Sequence, residues 1–517
     1  MTLVNAKDDT DPITGSFKAD GTAHDKVLTS IDVVIKPTLE KTNITLTVKT
    51  ETGETEQPAY IAFVSGTKPP ALPDRVKEAP LPDASEDTLI KNLVAQLNAC
   101  YAIPAAQRAN ATTNEVIAAT CRKFFLNDDP RSFLNDGRQV CSNGNSCAYS
   151  GLFSPAFDRI TFSAPEIEFR YPDDQIRLRL KVTLPAGDVR YSRFRLKRVG
   201  NEFRDGGNQY AHAFRVRPWT EVRRFVNRPE LSYYASGVNI FINNEIDGSG
   251  NFVFEKVVVT PPGGVSKPLE FFPQSSQSFL VIKINGVQTS TNNLRLAGQF
   301  IDPTTSGSPR RLSVDSKGAL AGELLVWGAS PSGANSGGDW TDAELDSIPE
   351  ISRWKAEFYK RGATAPVVQY YETTSAPLVK AELLKGKWAV LTDKNLTDIR
   401  DYSSPSGSVQ LTQVAPINVA WVVPEGAYAP NEISLSGFVS QVSGSRFNDF
   451  NSAIKQTDRT GTINCSRQSN TDQHCDSTGK NYAAAARGDG VSLSAYDERD
   501  MIWVSWAWSY LLTNYGK

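Results

Sequence analysis

The chain has 517 residues, of which 22% are charged and 40% hydrophobic, and its formal net charge is −2. This composition excludes a disordered chain, a collagen-like chain and a strongly charged polyelectrolyte. The length corresponds to three or four domains at about 150 residues each. The 30 prolines and 36 glycines, set between short apolar runs, favour β-structure with many turns.

Residues 1–80 are predicted to form a β unit with extended ends. Strand candidates run over residues 27–35, 43–49 and 60–64, where apolar residues alternate with polar ones. Prolines concentrated in residues 68–83 predict a semi-rigid linker. The polar, acidic start carries no signal-peptide core, so we expect that an export signal was removed. Whether the native N-terminus is lipidated stays open.

Helices are first predicted after this linker. Asp83-Ala-Ser-Glu86 and Thr112-Thr-Asn-Glu115 match the capping-box pattern, and each precedes apolar residues at helical spacing. Cys100 would close the first helix and Cys121 would lie on the second. A bond between these cysteines would therefore join a helical hairpin.

The six cysteines fall into three pairs that are local in sequence. They lack the ligand spacing of a zinc site, so we expect three disulfides and an oxidising compartment. The alternative is buried free thiols. The predicted pairs are Cys100–Cys121, Cys141–Cys147 and Cys465–Cys475.

After residue 157 the apolar pattern changes to a period of two. The strand candidates are residues 160–162, 166–171, 175–184, 190–199 and 209–216. Two helices followed by a long, curved antiparallel sheet indicate an α+β domain with its helices packed on one face. We assign this domain to residues 81–230.

The order of helices and strands, ending in Val199-Gly-Asn-Glu-Phe-Arg-Asp-Gly-Gly-Asn-Gln-Tyr210, resembles the cone-shaped fold of the nuclear transport factor 2-like family over residues 83–228. That family includes isomerases, dehydratases and plain binding domains, so the resemblance implies a fold and no particular activity. Its enzymes usually carry an Asp–His or Asp–Tyr pair inside the cone. Here the histidine is His212, while Asp188 and Asp205 lie in predicted turns, which argues against such a pair.

One charge pattern in this domain rises above the background. Residues 169–228 hold 15 basic and six acidic side chains. Basic and apolar residues alternate on the predicted strands, so we expect one face to pack on the helices and a basic face to point outward. The basic face is predicted to comprise Arg177, Arg179, Lys181, Arg193, Arg195, Lys197, Arg215 and Arg217.

Such a face would dock an anionic partner, namely another surface protein, an acidic glycan, lipopolysaccharide or another copy of this chain. The alternative is a solvated face balanced by acids from other domains. Nucleic acid is not expected, because few aromatic residues lie between the basic ones.

The remainder of the chain is nearly all β in pattern. Residues 231–328 predict an immunoglobulin-like β-sandwich, and residues 329–339 a Gly/Ser-rich linker or loop. Residues 340–517 predict a β-rich C-terminal domain with a short helix capped at Thr341 and a disulfide loop. The aromatic strand at residues 501–512 would pack either in its own domain's core or against another copy.

Catalytic and cofactor motifs are missing from the sequence. Three histidines occur without a nucleophile elbow, and no phosphate-binding loop or metalloprotease helix accompanies them. We therefore assign no catalytic residue and no cofactor. Calcium is the one ion that acidic residues suggest, at Asp8, Asp9, Asp11 or Asp247, with water-exposed turn residues as the alternative.

These patterns predict a multidomain, mainly β protein that combines an α+β domain with β-sandwiches. With no run of 18 apolar residues, no membrane-spanning helix is expected. The favoured function is that of a non-catalytic protein of the periplasm or cell exterior, acting in binding or structural assembly. Two alternatives stay open: an extracellular glycan hydrolase using a carboxylate pair, and a self-assembling subunit of a filament or surface layer.

Overall fold

In the computed structural model the chain divides into two compact units, Met1–Arg75 and Val76–Lys517. The structure describes residues 13–17, 22–23, 26–37, 42–50, 53–60, 84–110, 112–113, 115–141, 147–226, 229–263, 265, 268–275, 277–284, 287–288, 292–305, 310–314, 320–324, 340–392, 417–438, 446–451, 454–463 and 488–510.

The first unit contains a single antiparallel sheet in its described part. Its strands are β1 (Ile13–Phe17), β2 (Thr22–Ala23), β3 (Lys26–Pro37), β4 (Thr42–Thr50) and β5 (Gly53–Tyr60). Strands β1, β3, β4 and β5 are neighbours in that order, and β2 pairs with β3. The first two predicted strands are confirmed. Apart from Tyr60, where β5 ends, the third predicted strand at residues 60–64 lies outside the described residues, as does the proline-rich segment.

The second unit begins with helix α1 (Ala84–Tyr101). The helix starts directly after the predicted cap position, and its apolar residues Leu89, Ile90, Leu93 and Leu97 are all buried. Their spacing places them on one side of the helix, where they join a single core cluster with strands further along the chain. The first predicted helix is confirmed.

The second predicted helix is wrong. Asn110 accepts hydrogen bonds from the backbone N–H and the hydroxyl of Thr112, at 3.0 and 2.7 Å. Because the threonine hydroxyl is used in this local turn, it does not begin a helix. Two short antiparallel strands of two residues each, Ala109–Asn110 and Glu115–Val116, form instead. The helix in this part of the described chain covers Ala119–Arg122.

The short elements around this hairpin complete the helical side of the unit. They are helices α2 (Ala105–Arg108) and α3 (Ala119–Arg122), strands β6 (Ala109–Asn110), β7 (Glu115–Val116), β8 (Gln139–Val140) and β9 (Cys147–Ala148), and 3₁₀ turns at Leu126–Asp128, Pro130–Ser132, Ser150–Phe153 and Pro155–Phe157.

Two of the three predicted disulfides are confirmed. Cys100 at the end of α1 is bonded to Cys121 of α3, and Cys141 is bonded to Cys147 at the start of β9. The third predicted pair, Cys465–Cys475, lies outside the described residues. The first bond joins the long helix to the turn that replaces the second predicted helix.

A four-stranded antiparallel meander packs on α1. Its strands, neighbours in chain order, are β10 (Thr161–Tyr171), β11 (Gln175–Thr183), β12 (Val189–Val199) and β13 (Glu202–Asp205). On β11 the apolar residues are buried and the residues between them are half-buried. The predicted alternation is confirmed here. We call residues 84–213 the meander lobe.

The described residues between 214 and 510 form a second, mainly β lobe, which we call the sandwich lobe. Its largest sheet has seven strands, in the order β20 (Asn293–Phe300), β15 (Tyr233–Ile242), β14 (Phe214–Phe225), β31 (Ile502–Tyr510), β30 (Gly488–Tyr496), β27 (Glu432–Phe438) and β28 (Arg446–Asn451).

Two smaller sheets accompany the seven-stranded sheet. The six-stranded sheet contains β16 (Phe254–Thr260), β17 (Leu269–Phe272), β18 (Val281–Ile284), β19 (Val287–Gln288), β23 (Ser352–Lys360) and β24 (Val367–Thr373). The three-stranded sheet contains β25 (Val390–Leu391), β26 (Ile417–Val422) and β29 (Thr460–Ile463). The remaining elements are the hairpin β21 (Arg310–Val314) and β22 (Leu320–Leu324), helices α4 (Asp342–Asp346) and α5 (Lys380–Leu383), and a 3₁₀ turn at Pro229–Leu231.

The seven-stranded sheet is shared by two hydrophobic cores. Residues of β14, β15 and β20 pack against the six-stranded sheet, around the fully buried Trp354 and Phe358. Residues of β27, β30 and β31 pack against the three-stranded sheet, around Trp421 and Ile433. One continuous sheet thus links both cores, and they are not separate domains joined by a linker.

This sharing changes the predicted domain boundaries. Strands β23 and β24 complete a sheet that begins at residue 254, across the predicted break at residues 329–339. Strand β14, assigned from the sequence to the α+β domain, pairs with β15 and β31. Strand pairing between distant segments determines these boundaries. The predicted Gly/Ser linker itself lies outside the described residues.

The aromatic strand β31 occupies an interior position of the sheet. It pairs in parallel with β14 and antiparallel with β30. Of the two alternatives for this strand, packing within its own chain is the one that the structure shows. Since both of its edges are paired, the strand offers no free edge to a neighbouring copy.

The protein is therefore mainly β, with several antiparallel sheets and few helices. The finer family assignments, nuclear transport factor 2-like and immunoglobulin-like, stay predictions. No helix among the described residues is long and apolar enough to cross a membrane.

A buried carboxyl group at the end of β13 predicts a pH-dependent stability. Asp205 is 1% exposed and accepts a hydrogen bond from the Gly207 N–H at 2.8 Å. Burial raises the pKa of Asp205 to about 8. In the unfolded chain an aspartate loses its proton near pH 4. Between about pH 4 and pH 8 the folded state therefore holds one proton more than the unfolded state, on Asp205. Its contribution to stability falls as the pH rises through that window, by at most ~1.4 kcal/mol per pH unit.

We expect Asp205→Asn to remove this slope, because the amide oxygen keeps the hydrogen bond without the titration. The measurement is chemical unfolding at several pH values between 5 and 8. Asp173→Asn, in the exposed turn between β10 and β11, is the control and should retain the wild-type slope. Equal slopes for the wild type and Asp205→Asn would contradict the prediction.

Candidate functional site

The basic face of the meander lies against the sandwich lobe of the same chain. Arg177 donates a hydrogen bond to the backbone carbonyl of Glu372 on β24 at 2.6 Å. Arg179 donates to the carbonyl of Glu498 at 3.1 Å, and Arg193 donates to the Thr374 hydroxyl at 3.3 Å. The sequence predicted that the basic face points to solvent. The structure differs because these strands contact the sandwich lobe of the same chain.

A cleft of about 310 Å³ remains between the two lobes. We call it the arginine cleft, because six arginines contribute to its lining. The lining residues are Asn135, Asp136, Arg138, Tyr171, Arg177, Tyr191, Arg193, Phe194, Arg195, Asn208, Arg215, Arg217, Tyr371, Glu372 and Asp500.

Three of the six arginines are paired with carboxylates. Glu168, 8% exposed, accepts from Arg193 Nε at 3.0 Å, and its Oε2 lies 3.1 Å from Arg177 Nε. Arg217 Nε lies 3.8 Å from Asp500. Burial opposes the charge of Arg177, but Glu168 and other neighbours hold its pKa above the usual range. These ion pairs hold the side chains of the cleft walls in position.

The other three arginines lack such a partner. Arg138 Nε, Arg195 Nη1 and Arg215 Nε are buried and have no hydrogen-bond partner among the described residues. We call these three residues the arginine trio. They come from a turn in the meander lobe, from β12 and from β14, so that the two lobes together form this cationic set.

Arg195 is held in place by an aromatic ring. Its guanidinium carbon lies 3.9 Å from the centroid of the Tyr171 ring, and its Nε donates to Gln175 Oε1 at 3.0 Å. Stacking and the single hydrogen bond fix the plane of the guanidinium group. One terminal nitrogen is left directed away from these partners.

The turn Asn135–Arg138 forms the floor of the cleft. Asp136 and Gly137 both have positive φ, at 49° and 71°, as in a type I′ turn. A Cβ at Gly137 would lie 2.8 Å from the Ala211 carbonyl, so only glycine fits there. Asn208 Nδ2 donates to Asp136 Oδ1 at 2.7 Å. This close approach ties the turn to the segment that leads into β14.

Electrostatics in the cleft favour a negatively charged ligand near the trio. Burial and the positive charge of Arg138 both lower the pKa of Arg215. Arginine nevertheless stays protonated in proteins, so the like charges persist side by side. Burial also raises the pKa of Asp136 to about 6, which weakens the nearest negative charge in mildly acidic solution.

Five of the eight predicted basic residues converge on the cleft. These are Arg177, Arg193, Arg195, Arg215 and Arg217. The other three do not line it. Arg179 is paired with Glu166 and stacks on Tyr191 at 5.1 Å, Lys181 is half-buried elsewhere on the same sheet, and Lys197 is exposed.

Sequence reasoning missed the lining residues that belong to no basic strand. Arg138, Asp136, Tyr171, Tyr371, Glu372 and Asp500 were not assigned to a site. The Asp-Gly dipeptide of the turn is a hairpin signal that could have located Arg138 in a tight turn. No local signal connects Tyr371, Glu372 or Asp500 with that turn.

Asp247, the one described candidate for a calcium ligand, does not line the cleft. Asp247 is an exposed turn residue whose carboxylate accepts from the backbone N–H of Ser249 and Asn251, at 2.8 and 2.9 Å. These hydrogen bonds hold its pKa below the usual range. Asp8, Asp9 and Asp11 lie outside the described residues. Within the described ranges, no group of three or more His, Cys, Asp or Glu side chains is arranged to hold a metal.

His212 is part of the fold between the lobes. It is 6% exposed, packs edge-on against Phe254 and has Nδ1 3.0 Å from Glu245 Oε1. Its backbone exchanges hydrogen bonds with the Gln369 side chain. These contacts place it in the core next to β16, apart from the residues that line the cleft.

No family model matches the chain, and no curated protein matches it. Among solved structures, the chain is similar to one described as "Structural insight into host cell surface retention of a 1.5-MDa bacterial ice-binding adhesin", at a TM-score of 0.13. The match has 10% sequence identity and covers 65% of this chain and 74% of that chain. A TM-score this low shows no shared fold, so the function has to follow from the cleft.

Proposed function

We propose that the chain is an exported, non-catalytic binding protein, and that the arginine cleft is its binding site for an acidic ligand. The observation that carries the proposal is the arginine trio. Three cationic side chains line one cleft, and within the described residues none of them forms an ion pair with a carboxylate.

Free energy favours an anion in this place. A buried charge or an unsatisfied buried N–H costs stability, and the cost is recovered when an oxygen anion accepts from it. The planar, forked guanidinium group suits the two oxygens of a carboxylate and those of sulfate or phosphate. The paired arginines meanwhile keep the walls in position, so that little reorganisation accompanies binding.

Export is supported by the two disulfides, which form and persist in oxidising compartments. An acidic glycan or lipopolysaccharide suits the cleft better than the flat surface of another protein does, because a cleft of about 310 Å³ takes a small group. The alternative of self-assembly loses one of its arguments, since β31 is interior to its sheet.

Removing members of the trio tests the proposal. We expect at least one of sulfate, phosphate, citrate or an acidic sugar to raise the melting temperature of the wild type above that in sodium chloride of equal ionic strength. Arg195→Gln and Arg215→Gln should each weaken that anion's affinity by roughly 10- to 100-fold, the effect of losing a hydrogen bond to a charged group. Thermal shift and isothermal titration calorimetry measure these effects.

Lys197→Gln is the matched control. It lies on β12 two residues from Arg195, is exposed and does not line the cleft, so its affinity should equal that of the wild type. An anion panel without any effect on the wild type, or equal losses in all three variants, would refute the proposal. Release of hydrolysis products from a bound glycan would refute the non-catalytic part and favour the carboxylate-based hydrolase.

A further inference from the structure

The lining of the arginine cleft contains acceptors as well as cations. Asp136, Glu372 and Asp500 contribute carboxylates, and Asn135 and Asn208 contribute amides. Sulfate and fully ionised phosphate carry no donor hydrogen, so they could accept from the arginines and other donors but could not donate to the three carboxylates, which would repel them. A ligand with both an anionic group and hydroxyl groups would satisfy both kinds of residue.

Among these acceptors, Asp500 has capacity to spare. Within the described residues its carboxylate has one ion pair, the 3.8 Å approach to Arg217, which is too long for a strong hydrogen bond, and its side chain is 33% exposed. Glu372 lies 3.2 Å from Arg353 Nε, and its buried Oε1 has no hydrogen-bond partner among the described residues. Asp136 is engaged by Asn208. A hydroxyl group entering the cleft would therefore find an exposed acceptor in Asp500.

Aromatic rings hold guanidinium groups in place at the cleft. Tyr171 and Tyr191 line it, and the guanidinium carbons of Arg195 and Arg179 lie 3.9 and 5.1 Å from their ring centroids. A lining of oriented cations and acceptors is therefore more specific than a patch of positive charge.

The volume limits the size of the ligand. At about 310 Å³ the cleft lies at the lower end of the ~300–1,000 Å³ that small-molecule pockets span. It has room for a sugar ring with its substituents, and a longer chain would have to leave through the open side. The site is thus suited to one acidic residue of a glycan or to the free sugar acid.

We propose that the arginine cleft recognises a sugar acid, whose carboxylate binds the arginine trio and whose hydroxyls donate to Asp500 and its polar neighbours. This inference rests on the proposed anion-binding function and names its ligand class. The carboxylate supplies the charge, and the hydroxyls distinguish it from inorganic anions.

Calorimetry with three probes tests the ligand class on the full chain. D-glucuronate carries both a carboxylate and hydroxyls, D-glucose carries hydroxyls only, and sodium sulfate carries charge only. At equal ionic strength we expect the wild type to bind D-glucuronate at least tenfold more tightly than either of the other two. Arg195→Gln should abolish this preference, and Lys197→Gln should retain it.

Asp500→Ala separates hydroxyl recognition from simple attraction of charge. Since it removes an acceptor and a negative charge together, it should weaken D-glucuronate binding about tenfold and leave sulfate binding unchanged or stronger. A change due to misfolding would weaken both ligands, and the melting temperature of the variant checks for it.

Each outcome has a distinct meaning. If sulfate binds as well as or better than D-glucuronate and needs Arg195, the sugar-acid inference is overturned and the anion-binding function stands. If neither anion binds, both are overturned. Equal binding of D-glucose and D-glucuronate would also overturn the inference, because the carboxylate would then add nothing to the affinity.

Discussion

Replacing Arg108 with methionine is expected to destabilise the meander lobe by about 3–5 kcal/mol. The Arg108 side chain is fully buried, with 0% exposure. Its Nε donates to the Leu152 carbonyl at 2.9 Å, and its terminal nitrogens donate to the carbonyls of Ile103, Gly151 and Ser154 and to Asp158 Oδ1. Methionine would fill similar space but leave four carbonyls and a carboxylate without their donor.

The reason for so large an effect is that one side chain satisfies several loops at once. The carbonyls belong to the turn after α1 and to the 3₁₀ turns at residues 150–157, which have little regular structure of their own. Lysine cannot repair the loss, because a single ammonium group does not reproduce the five donors of a guanidinium fork. Arg108→Lys should therefore also be strongly destabilising.

Arg131→Met is the matched control in the same lobe. Its side chain is 82% exposed and pairs only with the neighbouring Asp129. We expect its free energy of unfolding to remain within about 0.5 kcal/mol of the wild type. Chemical unfolding followed by circular dichroism compares the three variants. A loss below about 1 kcal/mol in Arg108→Met would show that the carbonyls find other partners.

Replacing Val504 with proline is expected to disrupt the sandwich lobe, at a cost of at least about 3 kcal/mol. Val504 lies between Glu221 of β14 and Ser494 of β30, in the interior of the seven-stranded sheet. Proline removes a ladder N–H, and its ring obstructs the neighbouring strand. Because this sheet serves both hydrophobic cores, we expect both to lose cooperativity together.

Val367→Pro provides the contrast between an interior and an edge strand. Val367 is the first residue of β24, which has a partner on one side only, and it is 40% exposed. Proline is tolerated at such positions, so we expect a loss of less than about 1 kcal/mol. Melting temperature and protease sensitivity distinguish the variants. Similar losses at both positions would argue against an interior role for β31.

Local patterns predicted local structure well. The capping box and apolar spacing located α1, and the two-residue alternation located β11 and β12 with the correct buried side. The failure at Thr112 arose from a competing local bond to Asn110, which the capping-box pattern does not take into account. Cysteine spacing was sufficient to predict two disulfides, because each of these bonds joins cysteines that are close in sequence.

These local patterns could not predict which distant segments of the chain contact one another. The basic strands were recognised, but the group that meets Arg179 lies 319 residues further along the chain. A basic strand face has the same sequence pattern whether it meets water or another sheet. The cleft likewise depends on a turn, five strands and the segments before β14 and β31, and only the folded chain brings Arg138, Arg215 and Asp500 together.

The parallel pairing of β14 with β31 also sets an order in time. Residues 219–225 pair with residues 502–508, so the seven-stranded sheet cannot be completed until about 280 residues after β14 have emerged from the ribosome or the export channel. The meander lobe has its own core and lacks this constraint. Until β31 arrives, both of the sheet edges that it joins lie open, and loop closure over such a distance is slow. A newly made chain would therefore depend on chaperones for far longer in its sandwich lobe than in its meander lobe.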